Sequence, residues 1–187
     1  VCNHHEQAAA FAADGYARTR NDIGCAIVTS GPGATNLITG IASSFFDSIP
    51  VIYLTGQTSS KRSLKNSNVR QIGFQETKIV DIVKPITKYS VKVEDPYLIK
   101  YYLEKAYQIS LTDRKGPVLI DIPDDYQYKI IDTNKLKIKK INIKNDKKIF
   151  PNFLESKKDI LNLINNSKRP LLILGWGIIL SESHKDI

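Results

Sequence analysis

The first residue whose setting invites chemistry is Glu6. Residues 4–20 read as a helix, and within it Glu6, Ala9, Ala10, Ala13 and Ala17 fall at i, i+3, i+4, i+7 and i+11, so they share one face. A stripe of alanines lets a second backbone approach closely. A carboxylate on such a face must bind a partner or take up a proton, because an unpaired buried charge is costly. The plainer alternative is a first-turn acid, favoured there by the helix dipole. Both readings stay open at this level.

A second signal is Thr29-Ser30-Gly31-Pro32-Gly33-Ala34-Thr35-Asn36. It leaves an apolar run and enters a helical stretch through two glycines. In open parallel sheets, ligands gather at the carboxyl ends of strands and at helix N-termini. The segment is neither a Walker loop nor Gly-x-Gly-x-x-Gly, and Gly175-Trp176-Gly177 lacks the third glycine, having Leu180 there. A tight strand-to-helix turn explains it equally well.

The third is Val69-Arg70-Gln71-Ile72-Gly73-Phe74-Gln75-Glu76, which follows a polar loop from Ser59 to Asn68. Long polar loops after strand ends are often binding loops. Phe74 and Gln75 pair an apolar wall with a hydrogen-bonding group. The structural alternative is an ordinary helix start with Glu76 in the first turn.

These residues need a scaffold, and the apolar pattern supplies one. The runs 25–29, 51–55, 118–122 and 171–174 are short and almost continuously apolar, as expected of strands covered on both faces. Between them lie helical stretches at 4–20, 34–46 and 96–111. Asp95 is placed to cap the last of these, Pro96 stands at its first position, and Leu98, Tyr102, Ala106 and Ile109 share its apolar face. Alternation of this kind predicts an α/β fold: a doubly wound parallel sheet with helices on both faces. The first domain boundary falls near residue 124. Residues 125–153 read as a lysine-rich linker, in which 136–139 alternate like an edge strand. Residues 154–187, with a helix at 154–166 and the run 171–174, read as the start of a second α/β domain.

The chain has 187 residues, 42% hydrophobic and 25% charged, with a net charge of +8. This excludes a disordered, collagen-like or disulfide-scaffold chain, and no apolar run approaches a membrane span. Residues 129–148 hold eight lysines against Asp132 and Asp146. The tract lacks interleaved aromatics, so a solvated connector is expected rather than a nucleic-acid surface. Cys2 and Cys25 have no metal-binding or redox spacing and are expected to be buried, reduced thiols. With no methionine anywhere and Val at position 1, the reading expects an internal stretch of a longer polypeptide.

Several motifs occur in one order: His5-Glu6-Gln7-Ala8-Ala9, Ala13-Asp14-Gly15-Tyr16-Ala17-Arg18, Thr29 to Asn36, Asp47-Ser48-Ile49-Pro50, Phe74-Gln75-Glu76, Asp81 to Lys88, and Gly116-Pro117-Val118-Leu119-Ile120-Asp121-Ile122-Pro123. The series strongly resembles the N-terminal pyrimidine-binding domain of thiamine-diphosphate enzymes, in the acetolactate synthase branch, over residues 1 to about 124. Residues 154–187 resemble the start of that family's central domain.

The resemblance implies a lyase or carboligase that acts on a 2-oxo acid. Glu6 would be the catalytic group, hydrogen-bonding the pyrimidine nitrogen of thiamine diphosphate, with a raised pKa suited to sharing that proton. Gly31, Pro32, Gly33 and Asn36 would lie against the cofactor, Phe74 and Gln75 on its substrate side, and Arg114 where some synthases contact FAD, a candidate second cofactor. Mg2+ would be bound by another domain, whose Gly-Asp-Gly…Asn-Asn motif does not occur in these residues; no metal ligand is assigned here.

The family implies a cytoplasmic homodimer or homotetramer with sites at the subunit interface, and neither nucleic-acid nor membrane partners. Close packing of the small residues at 31–34 and of the alanine face would serve that interface. Asp124 stands where synthases usually carry Lys, and Val69 to Gly73 looks more like thiamine enzymes of surface-sugar gene clusters. Both features predict a different 2-oxo acid or acceptor. The alternatives are another thiamine-diphosphate 2-oxo acid decarboxylase and a noncatalytic remnant of the fold.

Overall fold

Apolar runs become strands here wherever a neighbouring run completes their hydrogen-bond ladder. Strands β1 (Gly24–Val28), β2 (Val51–Gln57), β3 (Tyr89–Lys92) and β4 (Val118–Pro123) form one parallel sheet in the order β1-β2-β4-β3. The computed structural model describes residues 1–63, 69–143, 153–181 and 183–186. The chain divides into two units, Val1–Lys144 and Asn145–Ile187.

In the first unit, helices α1 (Glu6–Arg20), α2 (Pro32–Asn36), α3 (Ile38–Phe46) and α4 (Ile79–Val83) cover one face of the sheet, and α5 (Ile99–Leu111) covers the other. Register fixes which residues meet which helix. Ile52 and Leu54 stand beside Val118 and Ile120, and these pack with Leu98, Tyr102 and Ala106 under α5. Tyr53, Thr55 and Gln57 stand beside Leu119, Asp121 and Pro123 and point the other way. The expected helical face of 96–111 is therefore the packed one. Asp95 caps it by accepting from the Tyr97 amide at 2.9 Å, before a 3-10 turn at Pro96–Leu98.

Most of the alanine stripe is packed inside the chain, and Ala9 alone of the four alanines stays half-buried at the Glu6 cleft. Ala10, Ala13 and Ala17 are buried. A Cβ on Gly24 would lie 2.1 Å from the Ala13 carbonyl oxygen, and one on Gly40 would lie 2.4 Å from Ala10 Cβ. Two glycines thus set the distance of α1 from β1 and from α3. Beside the stripe lies Asp14, buried with Ser44 and Tyr53.

Other expectations need correction. The helix read at 34–46 is two helices, α2 and α3, with Leu37 between them; the Leu37 amide bonds Ala34 in an i to i−3 step. Cys25 is exposed, as is Cys2, and both are free thiols. Cys25 and Ile27 stand beside Ile52 and Leu54 and share their face, but α5 packs on β2, β3 and β4, so the edge strand β1 is bare there.

The fourth strand is β3, where Tyr89-Ser90-Val91-Lys92 is too short and polar to stand out. The run 171–174 forms no strand: Leu171, Leu172 and Ile173 are exposed, and no described strand pairs with it. In the second unit, the helix expected at 154–166 is present as α7 (Phe153–Asn166).

Residues past β4 begin with a short helix, α6 (Asp124–Gln127). The Tyr126 hydroxyl donates to the Glu94 carbonyl at 2.8 Å and the Lys137 amide to the Tyr97 carbonyl at 2.9 Å. Lys105 and Lys139 stand over the Tyr101 ring and Lys129 over Tyr97. The tract is anchored through cation–aromatic contacts at least to residue 139. The alternation at 136–139 forms no strand. Residues 144–152 lie outside the described set.

Candidate active site

Glu6 is the first residue of α1. The helix opens on an unusual cap: His5 Nδ1 accepts from the Gln7 amide at 3.1 Å, which requires the ring's proton on Nε2. The first-turn position and the functional position therefore coincide. From α2, Asn36 Nδ2 donates to Glu6 Oε2 at 3.0 Å. A Cβ on Gly33 would lie 3.2 Å from the other oxygen, Oε1, and 2.6 Å from Thr29 Cγ2. Glu6, Gly33 and Asn36, separate in sequence, thus form one cradle at the carboxyl end of β1.

The expectation of a raised Glu6 pKa is overturned. The Asn36 hydrogen bond, followed by that from its own backbone amide, holds the carboxyl below the usual range. The group lines a cleft of about 870 Å³ beside β1, where the lining includes no Lys or Arg. With little burial to penalise its charge, donors decide its ionisation.

Gly31 joins this cradle to a second group. It caps α2 at φ 59°, a conformation that favours glycine, and a Cβ there would lie 2.7 Å from both Gln75 Cβ and the Gln75 carbonyl oxygen. Gln75 itself has φ 56°. Its loop is tied internally: Glu76 is not in a helical turn but accepts the Ile72 amide at 3.0 Å and the Gly73 amide at 3.2 Å. Phe74 and Gln75 line a second cleft, of about 690 Å³, with Arg62 and Asp124 as its charged members. The two clefts share Ile27, Val28 and Thr29, so the end of β1 stands between Glu6 and Gln75.

Arg114 does not join them. It precedes β4, at the amino ends of the parallel strands, and donates to Ser48 Oγ at 2.6 Å and to the Phe46 carbonyl at 3.2 Å. Its observed task is to close the end of α3.

Sequence reasoning missed a buried polar group at the carboxyl ends of β2 and β4. Asp121 is 1% exposed. Thr55 Oγ1 donates to it at 2.7 Å and Gln57 Nε2 at 2.8 Å. Burial pushes its carboxyl up to about 6, against those two hydrogen bonds and the attraction of Lys92. The available signal was polar residues, Thr55, Gln57 and Asp121, inside otherwise apolar strands. Among the described residues, no cluster of His, Cys, Asp or Glu could hold a metal ion.

An ionised glutamate held by an asparagine, beside a glycine-lined turn after a parallel strand, suits a ligand that brings a hydrogen-bond donor or a protonated nitrogen. Residues 1–82 match the thiamine pyrophosphate enzyme family in its N-terminal TPP binding domain. The matched residues hold α1 to α3 and the strands β1 and β2 of the parallel sheet, so the candidate Glu6 cradle lies inside the region of likeness.

It is similar over its whole length to the probable acetolactate synthase large subunit of Methanocaldococcus jannaschii, with 40% identity covering 100% of this chain and 31% of that protein. The acetolactate synthase large subunits of Buchnera aphidicola and Corynebacterium glutamicum are 39% and 37% identical, over 98% and 100% of this chain and 31% and 29% of their own lengths. The chain therefore spans about three tenths of these relatives. No described helix is long and apolar enough to cross a membrane.

Proposed function

We propose that this chain supplies the pyrimidine side of a thiamine-diphosphate site in a cytoplasmic, acetolactate synthase-like enzyme acting on a 2-oxo acid. The observation that carries this is the Glu6 cradle. One carboxylate oxygen is engaged by Asn36, and the other faces the bare Cα of Gly33, where any side chain would crowd it. The residues fit a flat ring with a basic nitrogen. Glu6 Oε1 accepts or returns a proton at that nitrogen, Asn36 holds the carboxylate's orientation, and the 31–33 turn gives backbone access. Bound thiamine diphosphate would supply the nucleophilic thiazolium carbon and the electron sink for decarboxylation. Gln75 and Phe74 border the second cleft, where a 2-oxo acid would lie.

Among the described residues, no Lys or Arg lines the Glu6 cleft to hold a diphosphate. In this reading the diphosphate and its Mg2+ are held by other residues, across the interface of a homodimer or homotetramer. Residues 154–187 would open a second α/β domain, a reading supported by the separate unit containing α7, whereas residues 125–144 of the expected connector belong with the first unit. The position of Arg114 gives FAD contact no support within this chain.

In the protein expressed from its whole gene, Glu6→Gln should lower turnover of pyruvate by about 10²–10⁴, the scale of a lost acid–base group, with circular dichroism unchanged. Turnover within threefold of wild type would overturn the assignment. Product analysis then separates acceptors: acetolactate supports the synthase reaction, whereas carbon dioxide release without acetolactate supports the different acceptor suggested by Asp124.

A further inference from the structure

The loop carrying Phe74 and Gln75 is held from beneath by groups that the proposed chemistry does not use. Gln57 ends β2 and is 5% exposed. Its Nε2 donates to Asp121 at 2.8 Å and to the Thr77 carbonyl at 2.7 Å, and its Oε1 accepts the Thr58 amide at 2.9 Å. Both amide hydrogens and the carbonyl oxygen are thus engaged, which fixes the orientation of the amide. Thr77 lies two residues beyond Gln75. At the other end of the loop, a Cβ on Gly73 would lie 2.8 Å from the Thr58 side chain.

Asp121 is the acceptor that makes this arrangement directional. With Thr55 donating to one carboxylate oxygen, the second oxygen receives one Gln57 hydrogen and leaves the other for Thr77. If the amide flipped, its oxygen would face a carboxylate and a carbonyl, two acceptors, so only one orientation is stable.

We propose that Gln57, oriented by Asp121, is a positioning residue that sets the height of the 71–77 loop and so places Gln75 at the substrate cleft. The inference rests on the reading that Gln75 borders the substrate, but its structural half can be read without any turnover. Gln57 also lines the candidate substrate cleft, so exchange in the loop, rather than turnover, separates positioning from direct contact. The expected signature is selective: the loop loosens while the sheet does not.

The test uses the protein from its whole gene and three variants. Gln57→Leu removes the tether. Gln57→Leu/Asp121→Leu removes it without leaving a buried carboxylate short of donors, which guards against simple misfolding. Ser44→Ala is a destabilising control on a separate network under α1. Hydrogen–deuterium exchange over residues 71–77 should quicken about fivefold to tenfold in both Gln57 variants, the scale of one lost hydrogen bond. Exchange in β1 and α1 should stay unchanged, and Ser44→Ala should leave the loop at its wild-type rate. The KM for pyruvate should rise about tenfold with kcat within about twofold, as expected when a substrate-side contact is misplaced without loss of transition-state groups.

Unchanged loop exchange in the double variant, or an equal rise in Ser44→Ala, would overturn the proposal while leaving the activity reading intact. Selective loosening in the Gln57 variants, together with a wild type that consumes no 2-oxo acid, would support the positioning role and overturn the activity reading instead.

Discussion

Two buried aspartates on the same face of the sheet are satisfied in opposite ways. Asp14, on α1, accepts Arg18 Nε at 2.5 Å and Ser44 Oγ at 2.7 Å, and Ser44 in turn lies 3.0 Å from the Tyr53 hydroxyl. Arg18 continues to Asp47 at 2.6 Å. Among the described residues, the Asp121 carboxylate, on β4, accepts from the neutral donors Thr55 and Gln57 alone. Its nearest register neighbour with charge is Lys92 on β3, which acts across space without a hydrogen bond. Pairing with a cation makes Asp14 a fixed brace among α1, α3 and β2. Neutral donors leave Asp121 sensitive to its own ionisation, and that sensitivity sits beneath the candidate substrate loop.

The largest expected effect comes from breaking the brace. Arg18→Leu leaves a nearly buried carboxylate with one hydroxyl donor. It should cost about 2–3 kcal/mol, below the range for fully buried pairs because Arg18 is partly solvated. Urea denaturation would measure it, and a loss under half a kilocalorie would remove the distinction between the two aspartates.

An effect of similar ceiling but different form is expected at Asp121. Its folded pKa, about 6, lies above the ordinary 3.8, so between those values the folded protein binds more protons than the unfolded chain. The Asp121 contribution to stability is therefore greatest below about pH 4. It declines as pH rises toward 6 and is constant above that, with a total change on the order of 3 kcal/mol. Denaturation of wild type and Asp121→Asn from pH 4 to 7 should show this slope in wild type and its loss in the variant. Parallel curves would show that burial of the carboxylate has no thermodynamic consequence.

The smallest effect concerns Lys92. Removing that cation with Lys92→Gln should move the midpoint of the same slope upward. No movement would leave burial and the two donors as the only determinants.

Much of the scaffold was legible because continuous apolar runs at 25–29, 51–55 and 118–122 predict neighbouring strands of one parallel sheet; the latter two are covered on both faces, and β1 on one. The run at 171–174 has the same composition without a described partner strand, and composition cannot supply one. β3 escaped notice because apolar and polar residues, all four of them half-buried, alternate over only four positions.

At the candidate site, the strand-to-helix glycines and the placement of Glu6 were readable. The Asn36 hydrogen bond, the lowered Glu6 pKa and the Gln57–Asp121 pair were not, because each depends on residues brought together from distant parts of the chain. The helical period correctly gathered Glu6 with the alanines. It could not say that Gly24 and Gly40 would lie against them.

Gln75 occupies a left-handed conformation in which a side chain costs about 1–3 kcal/mol. Glycine at that position would relax the backbone and leave an open wall where an amide now faces the cleft. At this point of the fold, robustness and recognition pull in opposite directions. Selection for thermal tolerance alone would favour the substitution most damaging to the pocket, so engineering for heat resistance must hold this position fixed.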